Sequence, residues 1–364
     1  MKHILIVSLL LLALTLTIFS ASAAKGDNAV TQVSPEEMLL SMTLEEKVGQ
    51  LFLARCPEMD AVGDVSRYHL GGYLLFGRDF EGRTPDSLRQ TLNAYQAAAS
   101  IPLLIAADEE GGDVCRVSSQ RAFRLTRFQS PRNLYAQGGM ERVLQEESEK
   151  AWLLHSLGIN VNMAPVCDIS TRSGAFMYRR SLGQSPEVTA DFVAGAIREM
   201  AAFQVGAVMK HFPGYGNNAD THVGTAVDSR SLQELETNDL QSFFAGIEAG
   251  GNAILVSHNI VEAIDPEFPA SLSPEMHRYL RLAMGFDGVI VTDDLSMDAI
   301  AKQYGSGEAA VLAVLAGNDL LCATDYRTQY EAVLAACKEG RISESAINQS
   351  VLRILQWKQS LELF

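Results

Sequence analysis

The chain is short of cysteine: five in 364 residues, Cys56, Cys115, Cys167, Cys322 and Cys337, with no CxxC pair among them. So odd and scattered a set excludes a zinc-ribbon centre and a dense disulfide framework; buried thiols are expected, with one disulfide left open. No GxGxxG or GxxxxGK(S/T) run follows an early apolar stretch, which removes the phosphate cradles of nucleotide-binding folds. HExxH is missing, which argues against a catalytic metal, and GxSxG is missing, which argues against a serine nucleophile. Positive charge is scarce too. The 29 Lys and Arg face 44 Asp and Glu, a net charge of −15, and a surface of that sign repels nucleic-acid phosphates and anionic lipid. By charge alone, a small neutral substrate suits it better.

What the chain has is core. Hydrophobic residues make up 47%, with 28 Gly and 11 Pro spread along the length, the composition of a globular protein. Residues 1–23 stand apart: Lys2 gives a positive start, an apolar run extends from Ile4 to Phe19, and Ala21-Ser22-Ala23 is a small-residue cleavage site. This reads as a secretory signal cut after Ala23, since the run falls short of the roughly 20 residues a bilayer span needs. An extracytoplasmic protein is therefore expected, with no membrane association beyond an N-terminal anchor should the leader be retained. Residues 24–33 read as a linker.

From residue 34 onward the pattern alternates. Thr43 and Glu46 have the spacing of a capping box before a helix. Short apolar runs at 51–54, 72–76, 103–107, 160–164, 207–209, 253–256, 289–292 and 319–321 predict eight strands. Amphipathic stretches at 85–99, 141–157, 186–203, 231–249, 274–284, 307–316 and 329–338 predict helices between and after them. Eight strand and helix units favour an α/β fold of the (β/α)8 TIM-type barrel class over an open sheet, one domain over residues 34–364 closed by C-terminal helices that include 343–360. Function in such a barrel sits on the loops after the strands. The polar clusters fall there: Asp108 to Gly112 after strand three, Asp168 after four, Lys210-His211 at the end of five, Ser257-His258-Asn259 after six and Asp293-Asp294 after seven.

Two segments carry chemistry. In the loop from Lys210 to His222, Pro213, Gly214 and Gly216 stop any regular element, and Asp220 and His222 stand two apart. A carboxylate beside an imidazole fixes its tautomer and makes it a usable general acid and base, although a plain loop hydrogen bond uses the same pair. In the second segment Asp293 immediately follows the seventh apolar run, where an ionised carboxylate can attack an electrophilic carbon; Thr292 or Asp293 could instead cap a following helix. One of the two adjacent acids is expected to do structural work, and Asp293, nearer the strand, is favoured as nucleophile.

Together these segments resemble family 3 glycoside hydrolases, in particular their β-N-acetylglucosaminidase branch. That branch carries a KHFPGHG loop ending in DSH or DTH and a strand ending in (S/T)DDLSM; this chain reads KHFPGYG, DTH and TDDLSM. Residues 108–112 resemble the family's DQEGG, residues 164–168 its APVxD and residues 180–183 its RSFG. The resemblance implies that Asp293 attacks the anomeric carbon while His222, paired with Asp220, protonates the leaving oxygen and then activates water, with retention of configuration. It implies that Asp108, Arg116, Arg180, Lys210 and His211 hold sugar hydroxyls and the acetamido group, although their chemistry alone would equally suit a buried ion-pair network. It further implies a monomeric exo-enzyme without metal or organic cofactor, acting on small oligosaccharides from cell-wall muropeptides or chitin. A phosphorylase built on the same residues and a catalytically silent sugar-binding barrel are the rival readings. Four departures stand out: Tyr215 for histidine, Glu109 for glutamine, Leu182 for phenylalanine, and Asp113 where many relatives have arginine. His258 reads as a structural histidine, Phe212 and Met297 as packing residues, and the stretch 172–179 as part of the entrance.

Overall fold

The computed structural model describes residues 33–218, 224 and 226–364. The leader lies outside them, as do all of the linker but Val33, and Asp220 and His222. Two helices, α1 (Pro35–Ser41) and α2 (Leu44–Gln50), precede the first strand, and Thr43 and Glu46 form the reciprocal capping box on α2. The barrel strands are β1 (Phe52–Arg55), β2 (Gly72–Leu75), β3 (Leu104–Ala107), β4 (Val161–Asn162), β5 (Gly206–Phe212), β6 (Ala253–Val256), β7 (Val289–Thr292) and β8 (Leu321–Ala323). Each pairs in parallel with its neighbour in chain order, β1 pairs with β8, and a bridge from Val291 to Leu320 brings β7 to β8. The expected barrel is therefore the observed one. The last strand sits two residues later than the apolar pattern suggested, because Asp319 and Leu320 donate backbone N–H groups to Ile290 O before the ladder to β1 begins.

Helices follow the strands: α3 (Ala61–Tyr68), α4 (Pro85–Ala98), α5 (Pro131–Leu157), α6 (Pro186–Ala201), α7 (Leu232–Thr237), α8 (Asp239–Glu248), α9 (Pro274–Arg278), α10 (Asp298–Tyr304), α11 (Ser306–Ala316), α12 (Tyr326–Lys338) and α13 (Glu344–Ser360). The expected helix 141–157 gains an N-terminal section behind a kink at Gly138-Gly139, where Gly139 takes φ +64. The stretch 231–249 is broken at Asn238 into α7 and α8. With helices outside and side chains filling the inside, β2, β3, β5, β6 and β7 are buried along their whole length, which is why they read as continuous apolar runs rather than alternating ones. All five cysteines are free thiols, four of them buried.

One buried charge has a consequence for stability. Lys358 on α13 is fully enclosed, and its Nζ donates to Gln50 Oε1 at 2.6 Å, with no ion-pair partner among the described residues. Burial pushes this ammonium down to about 7, against roughly 10.4 for a free lysine. Between those values the unfolded chain binds more protons than the folded one, so this group's contribution rises as pH rises from about 7 and is lost as pH falls back. The penalty at pH 7 is on the order of 4 kcal/mol at about 1.4 kcal/mol per pKa unit. Lys358→Met strands Gln50 Oε1, at a cost of about 1–3 kcal/mol, and is still expected to raise the unfolding free energy at pH 7. Urea titrations at pH 7 and pH 9 should show a rise with pH in the parent that is much smaller in the variant.

Candidate active site

A cleft of about 790 Å³ opens at the C-terminal ends of the strands, and Asp108, Arg116, Arg180, Lys210, His211 and Asp293 all line it. The five expected binding residues and the expected nucleophile are thus brought to one place from five separate segments. β5 supplies Lys210 and His211, Asp108 follows β3 directly, and Asp293 follows β7 directly, with its N–H on Val256 O at 3.0 Å. Arg180 arrives on the loop before α6, and Arg116 just after a short hairpin in which Glu109–Gly111 runs antiparallel to Val114–Cys115.

Charge pairing organises the floor. Lys210 Nζ sits 2.7 Å from Asp108 Oδ1 and 2.7 Å from Glu110 Oε1. Arg180 grips Glu110 with two bonds, Nη2 to Oε1 at 2.6 Å and Nε to Oε2 at 2.9 Å. Burial alone would raise the Glu110 carboxyl, but the charges of Arg180 and Lys210 outweigh it and hold the group well below the usual carboxylate range. Burial would likewise lower Lys210, but Asp108 and Glu110 overcome it and raise the ammonium. The network is therefore ionised at neutral pH, with Asp108 still half-buried at the cleft surface. Glu110 was not singled out from the sequence. Its signal was position alone, an acid two residues past Asp108 in a strand-end cluster.

His211 is fixed from both sides. Its Nδ1 lies 2.8 Å from Asp168 Oδ2, and Arg180 Nη2 lies 3.2 Å from Nε2. A guanidinium N–H needs an acceptor, so the neutral tautomer with its proton on Nδ1 satisfies both contacts. Asp168, fully buried, also accepts from the backbone N–H groups of His211 at 3.1 Å and Tyr215 at 2.6 Å, which ties the start of the loop to β4's extension. Behind it Arg230 reaches Gly214 O at 2.8 Å and Asp239 Oδ2 at 2.6 Å. Gly214 has φ +117, and a Cβ there would fall 2.4 Å from the Asp239 carboxylate, so this turn admits only glycine.

The two acids after β7 divide as expected. Asp294 Oδ1 accepts from Ser296 N–H at 2.9 Å, its Oδ2 from Thr324 Oγ1 at 2.5 Å, and its carbonyl oxygen lies 3.0 Å from His258 Nε2. Asp294 builds the turn, and His258 props it, with Ser271 Oγ 2.7 Å from its other nitrogen. The Asp293 carboxylate accepts the Asp294 N–H through Oδ1 at 2.9 Å and faces the cleft.

The departures have physical reasons. Glu109 is buried and accepts from the N–H groups of Val117 at 2.7 Å and Ser118 at 3.2 Å and from the Ser118 hydroxyl; two carboxylate oxygens serve three donors that a single amide oxygen would have to share. Tyr215 lies edge-on to His211 with centroids 5.3 Å apart and packs on Phe176. Leu182 is buried. Asp113 forms a two-point ion pair with Arg179 at the cleft rim, both bonds at 2.9 Å, so its charge is matched from the 172–179 stretch expected to shape the entrance. Phe212 packs on Phe243, and Met297 is buried but lines the cleft. Among the described residues no three His, Cys, Asp or Glu side chains are grouped so as to hold a metal ion.

The family description that matches is "Glycosyl hydrolase family 3 N terminal domain", over residues 43–357. A β-hexosaminidase of Stenotrophomonas maltophilia strain K279a is 38% identical over 259 residues, covering 69% of this chain and 75% of that protein. One from Nitrosomonas eutropha is 33% identical over 317 residues, covering 82% and 88%. Among solved structures, a family 3 β-N-acetylglucosaminidase from Paenibacillus sp. str. FPU-7 superposes with a TM-score of 0.83 at 35% identity; the match covers 89% of this chain and 63% of that longer one. Since both the barrel and the sequence along most of its length are shared with these proteins, this chain belongs to glycosyl hydrolase family 3.

Proposed function

We propose that the protein is a retaining exo-β-N-acetylglucosaminidase that releases terminal β-linked N-acetylglucosamine from cell-wall or chitin-derived oligosaccharides outside the cytoplasm. The observation that carries this reading is the Asp293 carboxylate at the end of β7, facing one cleft with Asp108, Arg180, Lys210 and His211. The shared name of its relatives, β-hexosaminidase, points to the same sugar.

In this mechanism Asp293 attacks the anomeric carbon as the glycosidic C–O bond breaks, and His222 gives its proton to the leaving oxygen. A covalent glycosyl-aspartate results. Water then attacks that carbon from the opposite side, His222 takes its proton, and Asp293 leaves; two inversions give net retention. Asp220 holds the imidazole tautomer. Positive charge develops on the ring at each step, and the Asp293 carboxylate beside it stabilises that charge. Lys210 and Arg180, each already committed to buried carboxylates, present their remaining N–H donors at fixed positions, so little ordering remains to be done when the sugar binds. No metal or organic cofactor takes part.

The test is release of p-nitrophenol from p-nitrophenyl β-N-acetylglucosaminide, with and without inorganic phosphate, beside the β-glucoside and β-xyloside. Hydrolysis of the glucosaminide without phosphate, well above the other two, is expected. Strict phosphate dependence with sugar 1-phosphate as product would make the protein a phosphorylase, and binding without turnover would make it a silent barrel.

A further inference from the structure

Arg55 closes β1 at the mouth of the cleft, half-buried. Its guanidinium makes no hydrogen bond and no ion pair among the described residues, and its Nε is shut off from solvent without a partner. It is nonetheless held in place: Cζ lies 4.4 Å from the centre of the Phe76 ring, and Arg116 Cζ lies 5.2 Å from the same ring. Stacking on an aromatic face fixes the plane of a guanidinium and leaves its edge donors free.

The neighbouring charges are all committed. Arg55 also lines a hollow of about 190 Å³ beside the cleft, together with Arg78 and Arg327. Arg78 is matched by Glu58 at 2.7 Å, and Arg327 by Asp64 at 2.6 Å. Asp325 in the same hollow accepts from the Thr328 hydroxyl at 3.0 Å, and Asp79 nearby accepts from Phe76 N–H at 2.7 Å. In a chain with 44 acids, a stacked, half-buried guanidinium left without a carboxylate is a charge awaiting its partner, since leaving it unmatched costs free energy.

We infer that Arg55, stacked on Phe76, receives a carboxylate carried by the sugar to which the released N-acetylglucosamine is attached, so that the preferred substrates are acidic oligosaccharides. The overall negative charge had pointed to a neutral substrate; this one local donor reverses that expectation. The inference rests on the glucosaminidase reading above and names the class of its aglycone.

The experiment compares kcat/KM for N-acetylglucosaminyl-β-1,4-N-acetylmuramic acid and for its neutral counterpart ending in N-acetylglucosamine. The wild type is expected to favour the acid by roughly tenfold or more, the size of a charge-assisted hydrogen bond. Arg55→Gln should bring the ratio close to one, and Arg55→Lys should keep part of it. Raising the salt should narrow the wild-type ratio, a readout that survives should the variants fail to fold. An unchanged ratio in Arg55→Gln, or equal losses on both disaccharides, would overturn the inference. Should the wild type cleave neither, it is the glucosaminidase reading that fails. Calorimetric titration with N-acetylmuramic acid and N-acetylglucosamine then decides the anion site: tighter binding of the acid that disappears in Arg55→Gln supports it, and equal binding overturns it.

Discussion

Asp293→Ala is expected to lower kcat on p-nitrophenyl β-N-acetylglucosaminide by on the order of 10⁴-fold or more, the scale on which removing a nucleophile from a concerted set of residues is felt. Its melting temperature should stay close to that of the parent. The structural duty of this carboxylate is one bond to the Asp294 N–H, worth about 1 kcal/mol. Asp294→Ala should show the opposite balance, because Asp294 holds Ser296 and Thr324 in the turn. That variant loses stability, and activity falls less than in Asp293→Ala. Equal and complete loss of activity in both, with both folded, would remove the reason for assigning the attack to Asp293.

The second large effect is expected at Arg180. Arg180→Met keeps the apolar stem but leaves Glu110 buried with Lys210 as its remaining cation. Stranding half of a buried ion pair costs about 3 kcal/mol or more, and kcat/KM should fall by at least about a hundredfold with the loss of a fixed donor in the cleft. The pH dependence carries a sign. In the parent, burial raises the Glu110 carboxyl but Arg180 and Lys210 hold it well below the ordinary range, so its contribution is present above the unfolded value of about 4.3 and is lost as pH falls through the folded one. Without Arg180 the burial effect gains ground, and protonation relieves the buried charge. The stability difference between variant and parent is therefore expected to be largest near pH 7 and to shrink towards pH 4. Urea unfolding at the two pH values measures it, and a difference that grows on acidification would contradict the account.

The barrel was legible because its strands are buried on both sides and short, so each stands out as an apolar run between helical stretches; β6 and β7 fall on the expected residues. Boundaries slipped where backbone pairing rather than side-chain pattern sets the limit, as at β8, and where a helix breaks without proline, as at Asn238. The site was legible in its strand-end residues. Asp293, Asp108, Lys210 and His211 gather because a parallel barrel brings all its strand ends to one face. What stayed hidden was pairing across the barrel. Nothing in the spacing says that Glu110 meets both Arg180 and Lys210, that Asp168 meets His211, or that Arg230 reaches back to Gly214, since each contact joins segments whose approach only the closed sheet dictates. Arg55 was hidden for the converse reason: an unmatched charge shows itself only once the partners of its neighbours are known.

The most direct measurement is mass spectrometry of the protein after brief reaction with a 5-fluoro-N-acetylglucosaminyl fluoride, which forms a glycosyl-enzyme faster than water can release it. The account predicts one added sugar, carried by the peptide containing Asp293. A sugar found on a different side chain, or rapid turnover with no adduct and an inverted product, would contradict it.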